Sequence, residues 1–282
     1  MKDLKMENLS KFYIDGVWSQ PNSGATMPVL NPATERQVGV VALGNAADVD
    51  AAVAAASRAF ASYSQTTKAE RLVFLGRLLK VTEARFEDLA QAMSMEMGAP
   101  ISMARDAHAD AAVGHLQGFI EALGQLQERE SLTSGDIQLR EPIGVCGLIT
   151  PWNWPMNQIA LKVIPALATG CTCVLKPSEH TPISAMIYAE IIHEAGFPAG
   201  VFNLVQGDGP TVGAAMSRHC DIQMMSFTGS TRAGTAVTRD AADTVKRVTL
   251  ELGGKSPNLV FADCDLQDRV TASVDELSLI HI

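Results

Sequence analysis

Two neighbouring segments carry the residues best suited to chemistry, SFTGSTRAG (Ser226 to Gly234) and VTLELGGKSPNLVF (Val248 to Phe261). In the first, Phe227-Thr228-Gly229-Ser230 follows a strand-like run and opens a helical pattern. Backbone N–H groups and the Ser230 hydroxyl can then face an anion at a helix N-terminus. A plain glycine turn competes with that reading, because neither this segment nor the preceding GDGPTVG (Gly207 to Gly213) has the G-x-G-x-x-G spacing. In the second, Glu251 ends a β-branched run before Leu252-Gly253-Gly254, where a carboxylate can serve as a general base in a cleft or simply sit at the surface. GGKS (Gly253 to Ser256) imitates a P-loop, but Thr249 stands where that loop needs a glycine, which argues against a nucleotide triphosphatase.

Other strand ends add candidates. Thr150-Pro151-Trp152-Asn153-Trp154-Pro155 forms a stiff turn that can aim the Asn153 amide N–H at a developing oxyanion. Leu175-Lys176-Pro177-Ser178-Glu179 offers a cation and a carboxylate suited to ribose hydroxyls, or to an ordinary salt-bridged loop. The cysteines (Cys146, Cys171, Cys173, Cys220, Cys264) contain no C-x-x-C pair and read as reduced thiols. Cys171 and Cys173 fit small core residues rather than metal ligands. Cys264 is the one expected in a polar loop, and the flanking Asp263 and Asp265 would raise its thiol pKa and blunt it as a nucleophile. The histidines are scattered, with His108 and His115 sharing a helix face, so no metal site is expected.

The elements that position these residues are legible from periodicity. An extended start (Phe12 to Trp18, turning at Asp15-Gly16) precedes helical stretches at Ala47 to Tyr63, Lys68 to Met97 and Ile101 to Gln127, with Gly98 and Pro100 separating the last two. A polar stretch, Glu128 to Gln138, places Ser134-Gly135-Asp136 as a turn between two exposed strands. From Gly144 the pattern alternates. Strands at Val145 to Ile149, Thr172 to Leu175, Phe202 to Val205, Gln223 to Phe227 and Lys246 to Leu250 are separated by helices at Met156 to Ala168, Pro182 to Ala195, Gly209 to Arg218 and Thr231 to Ala242. Such alternation predicts right-handed crossovers and a parallel sheet covered by helices, with ligands at the carboxyl ends of the strands.

Composition bounds the function. The chain has 282 residues, 47% of them hydrophobic, enough for a substantial core, and its net charge of −9 argues against a nucleic-acid or anionic-membrane partner. Its N-terminus lacks the apolar stretch of a signal peptide, and no segment approaches the ~18 apolar residues of a spanning helix. The expectation is a cytoplasmic protein.

In order, TPWNWP, PALATGCTCVLKPSEHTP, FNLVQGDGPTVG, SFTGSTRAG and VTLELGGKSPNLVFADCDL resemble the NAD(P)-dependent aldehyde dehydrogenase superfamily, over about Phe12 to Val274. The resemblance implies an α/β fold with a parallel Rossmann-like sheet and helices on both faces. It implies that a cysteine thiolate attacks an aldehyde, that hydride passes to the nicotinamide, and that a base-activated water hydrolyses the thioester to a carboxylic acid. Glu251 matches the base, Asn153 the oxyanion amide and Lys162 a lysine that assists proton movement, with an ordinary helix-surface lysine as the competing account of Lys162. Members that pass the acyl group to coenzyme A usually lack the glutamate, so Glu251 favours hydrolysis. For the cofactor, Lys176 and Glu179 match the adenosine-ribose contacts. Phe227, Gly229 and Ser230 match the pyrophosphate segment, Ile149, Pro151, Trp152 and Gly209 line the same groove, and Leu252 and Gly253 lie near the nicotinamide. A carboxylate at Glu179 would repel a 2′-phosphate, so NAD is expected over NADP.

The family's nucleophile lies in an F-x-N-x-G-Q-x-C run that would fall past Ile282. The resemblance therefore implies a cofactor domain over residues 1–251 with an oligomerisation hairpin near 128–142, the start of a catalytic domain at 252–274, and a non-family tail at 275–282 (DELSLIHI). It also implies a complete enzyme that forms a homodimer or homotetramer and a catalytically dead fragment. The alternative is a non-catalytic module that binds NAD or pairs with a relative.

Overall fold

The alternation after Gly144 becomes a seven-stranded sheet in a computed structural model of the chain, which describes residues 8–255 and 257–276. Strands β1 (Phe12–Ile14), β2 (Val17–Ser19), β3 (Thr26–Asn31), β4 (Arg36–Ala42), β5 (Arg129–Ser131) and β6 (Ile137–Leu139) precede β7 (Val145–Ile149), β8 (Thr172–Lys176), β9 (Phe202–Leu204), β10 (Met224–Gly229) and β11 (Arg247–Leu252). The main sheet runs β11-β10-β7-β8-β9-β1-β2. Its β11 to β9 portion is parallel, as expected, whereas β1 pairs antiparallel with both β9 and β2. The parallel expectation holds for the strands after Gly144, and the extended start adds an antiparallel edge, where the two-residue Asp15-Gly16 turn can only join antiparallel strands.

Helices cover both faces, and strand alternation assigns the layers. Val145 and Ile149 of β7 join a core with α1 (Ala46–Tyr63), α8 (Ala214–Arg218) and α9 (Thr231–Ala241). Cys146 and Leu148 point into a larger core with α2 (Lys68–Ala84), α3 (Phe86–Glu96), α5 (Asp110–Gln125), α6 (Pro155–Ala168) and α7 (Pro182–Glu194). Capping boxes start α1 (Asn45 with Asp48) and α2 (Thr67 with Glu70), satisfying donors that helix ends leave free.

Three features depart from the sequence expectation. The single helix expected over Lys68 to Met97 breaks at Arg85, whose backbone (φ −102°, ψ 10°) leaves the helical region. Neither Gly nor Pro marks the break; the Arg85 guanidinium instead bonds Glu190 (3.1 Å) and Glu194 (2.8 Å) on α7, a tertiary cause. Ile101 to Gln125 is a run of α4 (Ile101–Met103), a π-helical stretch (Ala104–Ala109) and α5. The β3–β4 hairpin had no clear sequence signal, since Pro28 and Gly39 interrupt its strands; Asn31 shapes its turn by accepting from the N–H groups of Ala33 (2.9 Å) and Thr34 (3.1 Å). The β5–β6 hairpin forms with exposed strands, as the polar stretch predicted.

Beyond β11, Leu259, Val260 and Phe261 are exposed, as are Leu266 and Val270 of α10 (Leu266–Glu276). The last six residues of the expected tail, 277–282, lie outside the described residues. Among the described residues no helix is long and apolar enough to cross a membrane.

Candidate active site at the strand ends

Parallel pairing brings most of the candidate residues to one edge of the sheet. Ile149 pairs with Lys176 and with Phe227, Thr228 with Glu251, and Gly229 with Leu252, so the carboxyl ends of β8, β7, β10 and β11 stand side by side. Pro151 and Asn153 follow β7, Glu179 follows β8, Ser230 follows β10 and Gly253 follows β11. Residues distant in sequence thus converge because these strands all run parallel.

Ile149, Gly209 and Phe227 line a cleft of about 540 Å³ between the turn leading into α8 and the first turns of α9, walled also by Gly213, Ala233 and Val237. Sequence reasoning missed the helix side of this cleft. Its signal was the run of small residues, Gly209, Gly213 and Ala214 on one side and Ala233 and Ala236 on the other, which leave room where larger side chains would close it. Trp152 is half exposed and lines a second cavity, of about 770 Å³, with Glu96, His180 and Thr181.

Ser230 is the N-cap of α9, its hydroxyl oxygen accepting from the Ala233 N–H at 3.2 Å, which leaves the hydroxyl proton to donate outward. A Cβ at Gly229 would stand 2.6 Å from the Phe227 ring, so a larger residue there would displace that ring. The Oγ1 atoms of Thr150 and Thr228 are buried without partners at the ends of β7 and β10. A helix N-terminus with a free Ser230 hydroxyl proton beside an open cleft fits an anionic nucleotide.

Lys176 is buried, and its Nζ donates to the Pro177 carbonyl (2.8 Å) and to Glu179 Oε2 (3.1 Å). The salt-bridged loop is therefore real, and it leaves the Glu179 side chain partly exposed with one carboxylate oxygen free of that ion pair. Burial lowers the Lys176 pKa while Glu179 pulls it back up.

Lys162 is not the surface lysine of the competing account. It is only 7% exposed, its Nζ donates to Ser226 Oγ at 3.1 Å, and burial pushes its pKa down to about 8 against the opposing pull of the Glu251 charge. Glu251 itself is exposed on the edge strand β11. Asn153 is exposed too, and it precedes Trp154, whose left-handed backbone (φ 58°, ψ 53°) starts α6. The Trp154 ring stacks on His108 with centroids 4.1 Å apart. His108 is therefore more than a sharer of a helix face with His115: it is fully buried, burial lowers its pKa to about 4, and His115 bonds Asn157 at 2.6 Å instead.

All five cysteines are free thiols. Cys146, Cys171 and Cys173 are buried, as read from sequence. The expectation that Cys264 alone lies in a polar loop is corrected, because Cys220 is exposed in a turn between His219 and Asp221. Cys220 precedes β10 and so sits at the amino ends of the strands, away from Glu251.

The sequence model of the aldehyde dehydrogenase family matches residues 18–280. A 3-succinoylsemialdehyde-pyridine dehydrogenase from a Pseudomonas species is 50% identical over 275 residues, covering 97% of this chain and 57% of that protein. Aldehyde dehydrogenase C of Pseudomonas syringae, solved as a mutant with NAD+ and octanal, superposes with a TM-score of 0.94 at 51% identity, covering 97% of this chain and 56% of that one. A Bartonella henselae aldehyde dehydrogenase superposes at 0.92 with 49% identity, covering 94% and 56%. The chain belongs to the aldehyde dehydrogenase family, and it spans a little over half the length of these relatives.

Proposed function

We propose that these 282 residues form the NAD-binding part of an enzyme that oxidises an aldehyde to a carboxylic acid through a cysteine thioester. The observation that carries this reading is the convergence of a small-residue cleft, a helix N-terminus, an ion-paired Lys176–Glu179 loop and Glu251 at four adjacent strand ends. When bound, NAD supplies the hydride acceptor.

The chain's own residues would divide the remaining work. Ile149, Gly209 and Phe227 enclose the adenosine end, with Pro151 and Trp152 beside the cofactor's path. Ser230 and the first N–H groups of α9 hold the pyrophosphate, next to the close-packed Gly229. Leu252 and Gly253 flank the nicotinamide. Glu179 accepts from the ribose hydroxyls. The Asn153 amide N–H₂ donates to the oxyanion formed on the aldehyde oxygen, and Glu251 takes a proton from the water that attacks the thioester carbonyl. Lys162, held near Glu251, supports movement of that proton. Residues 1–251 would be the cofactor domain, with 252–274 beginning the next, and the exposed β5–β6 hairpin would seat against a partner in a homodimer or homotetramer.

The thiol is assigned to sequence outside these residues, since Cys146, Cys171 and Cys173 are buried, Cys220 lies at the wrong strand ends, and Cys264 stands between two aspartates. A purified chain of these 282 residues should therefore form no NADH from NAD and octanal. Turnover abolished by Cys264→Ala would overturn that assignment.

Cofactor choice gives a second test. Glu179→Gln removes the charge that accepts from ribose and repels a 2′-phosphate, so NAD affinity should fall about tenfold and the preference for NAD over NADP should shrink by a similar factor, the worth of a charged hydrogen bond. Titration with each nucleotide reads it; an unchanged ratio would remove Glu179 from this role.

A further inference from the structure

We propose that Ser226 is a positioning residue whose hydroxyl fixes the Lys162 ammonium on the sheet face that carries Glu251. The inference deepens the reading above and rests on its placement of Glu251 as the base.

The sequence of β10 is unusual for a strand inside a sheet covered on both sides, which normally reads as continuously apolar. Met225 and Phe227 obey the rule and enter the core beneath α1, α8 and α9. The alternate residues, Ser226 and Thr228, put two hydroxyls on the opposite face, the one that α6 covers. In the parallel register Thr249 stands beside Ser226 and Glu251 beside Thr228, so the same face of β11 carries a third hydroxyl and the carboxylate. Lys162 reaches this patch from α6.

A buried ammonium needs acceptors, and Lys162 has one. Ser226 Oγ, at 3.1 Å, is its single hydrogen-bond acceptor among the described residues, and no carboxylate there lies within ion-pair distance. Several charged or titratable groups on elements packed around α6 have partners of their own. Arg71 of α2 bonds Glu128, His115 of α5 bonds Asn157, Lys176 of β8 bonds Glu179, Glu190 of α7 bonds Arg85, and His108 stacks on Trp154. Glu251 is the group whose charge acts on Lys162, through space. Four rotatable bonds separate Nζ from the α6 backbone, so without the Ser226 hydroxyl nothing polar pins the ammonium near the base.

The test is a pH titration of the Lys162 Cε resonance in the folded 282-residue chain labelled with ¹³C-lysine, assigned with Lys162→Arg, with near-UV circular dichroism confirming that each variant keeps its fold. Ser226→Ala removes the acceptor from a charged donor, so the midpoint should fall by about one unit, and Ser226→Thr, which restores a hydroxyl, should return it. A midpoint unchanged in Ser226→Ala, or one raised to the ordinary lysine range, would overturn the proposal. Glu251→Gln separates the two layers: it too should lower the midpoint. A shift in Ser226→Ala with none in Glu251→Gln would leave the anchor standing while removing the link to the proposed base.

Discussion

Glu96→Ala should destabilise the chain by about 4 kcal/mol at pH 5, as measured by urea unfolding, because it strips the cap from α7. Glu96 is fully enclosed by protein, and its two carboxyl oxygens accept from the backbone N–H groups of Ile183 and Ser184 in the first turn of that helix. Alanine would leave two buried donors unpaired, each costing about 1–3 kcal/mol. Burial pushes the Glu96 carboxyl up to about 7, against the lowering effect of those N–H groups. A carboxyl whose pKa is higher folded than unfolded stabilises fully below its unfolded value near 4.5, and that contribution is lost as pH rises to about 7. Wild-type stability should therefore drop by roughly 3 kcal/mol across that window, and Glu96→Gln should abolish the slope while keeping one acceptor. The consequence reaches the candidate site, since α7 begins shortly after the Lys176–Glu179 loop and its cap fixes where that loop ends. A flat pH profile in the wild type would show that the carboxyl titrates normally.

Ala233→Trp should lower NAD affinity at least a hundredfold, about 2.7 kcal/mol, with little change in stability. Ala233 is partly exposed and faces the 540 Å³ cleft from the first turn of α9. An indole there would occupy the space between Ile149, Gly213 and Phe227, at the edge of the core against which Ala233 already packs. The backbone N–H that caps on Ser230 is untouched by the substitution, so the helix start persists. Fluorescence or calorimetric titration reads the affinity. A variant that binds NAD as well as the wild type would place the adenosine elsewhere.

How much of this could be read from the chain depends on whether a feature was fixed locally. Val145 to Ile149 was bounded correctly because a short apolar run between Gly144 and the Pro151 turn admits little but a buried strand. Gly98, with φ +85°, ended a helix as glycine should. The break at Arg85 was invisible because ion pairs to α7, far along the chain, cause it. The same division holds at the site. Glu251 and the Lys176–Glu179 pair could be picked out by residue type and position, whereas the burial of Lys162 and its bond to Ser226 exist only once α6 lies across β10. That Trp152 lines the second cavity was not legible, because sequence places a turn at a strand end without saying which way a side chain leaves it.

The central claim, that NAD occupies the cleft at the carboxyl ends of β7 and β10, is tested most directly by adding NAD to methyl-labelled chain and following isoleucine and valine signals by NMR. Saturable shifts at Ile149 and Val237, with Val29 beside the Trp152 cavity unmoved, are the predicted result. A folded chain whose Ile149 and Val237 signals stay fixed, or whose shifts gather around Val29 instead, would contradict the account.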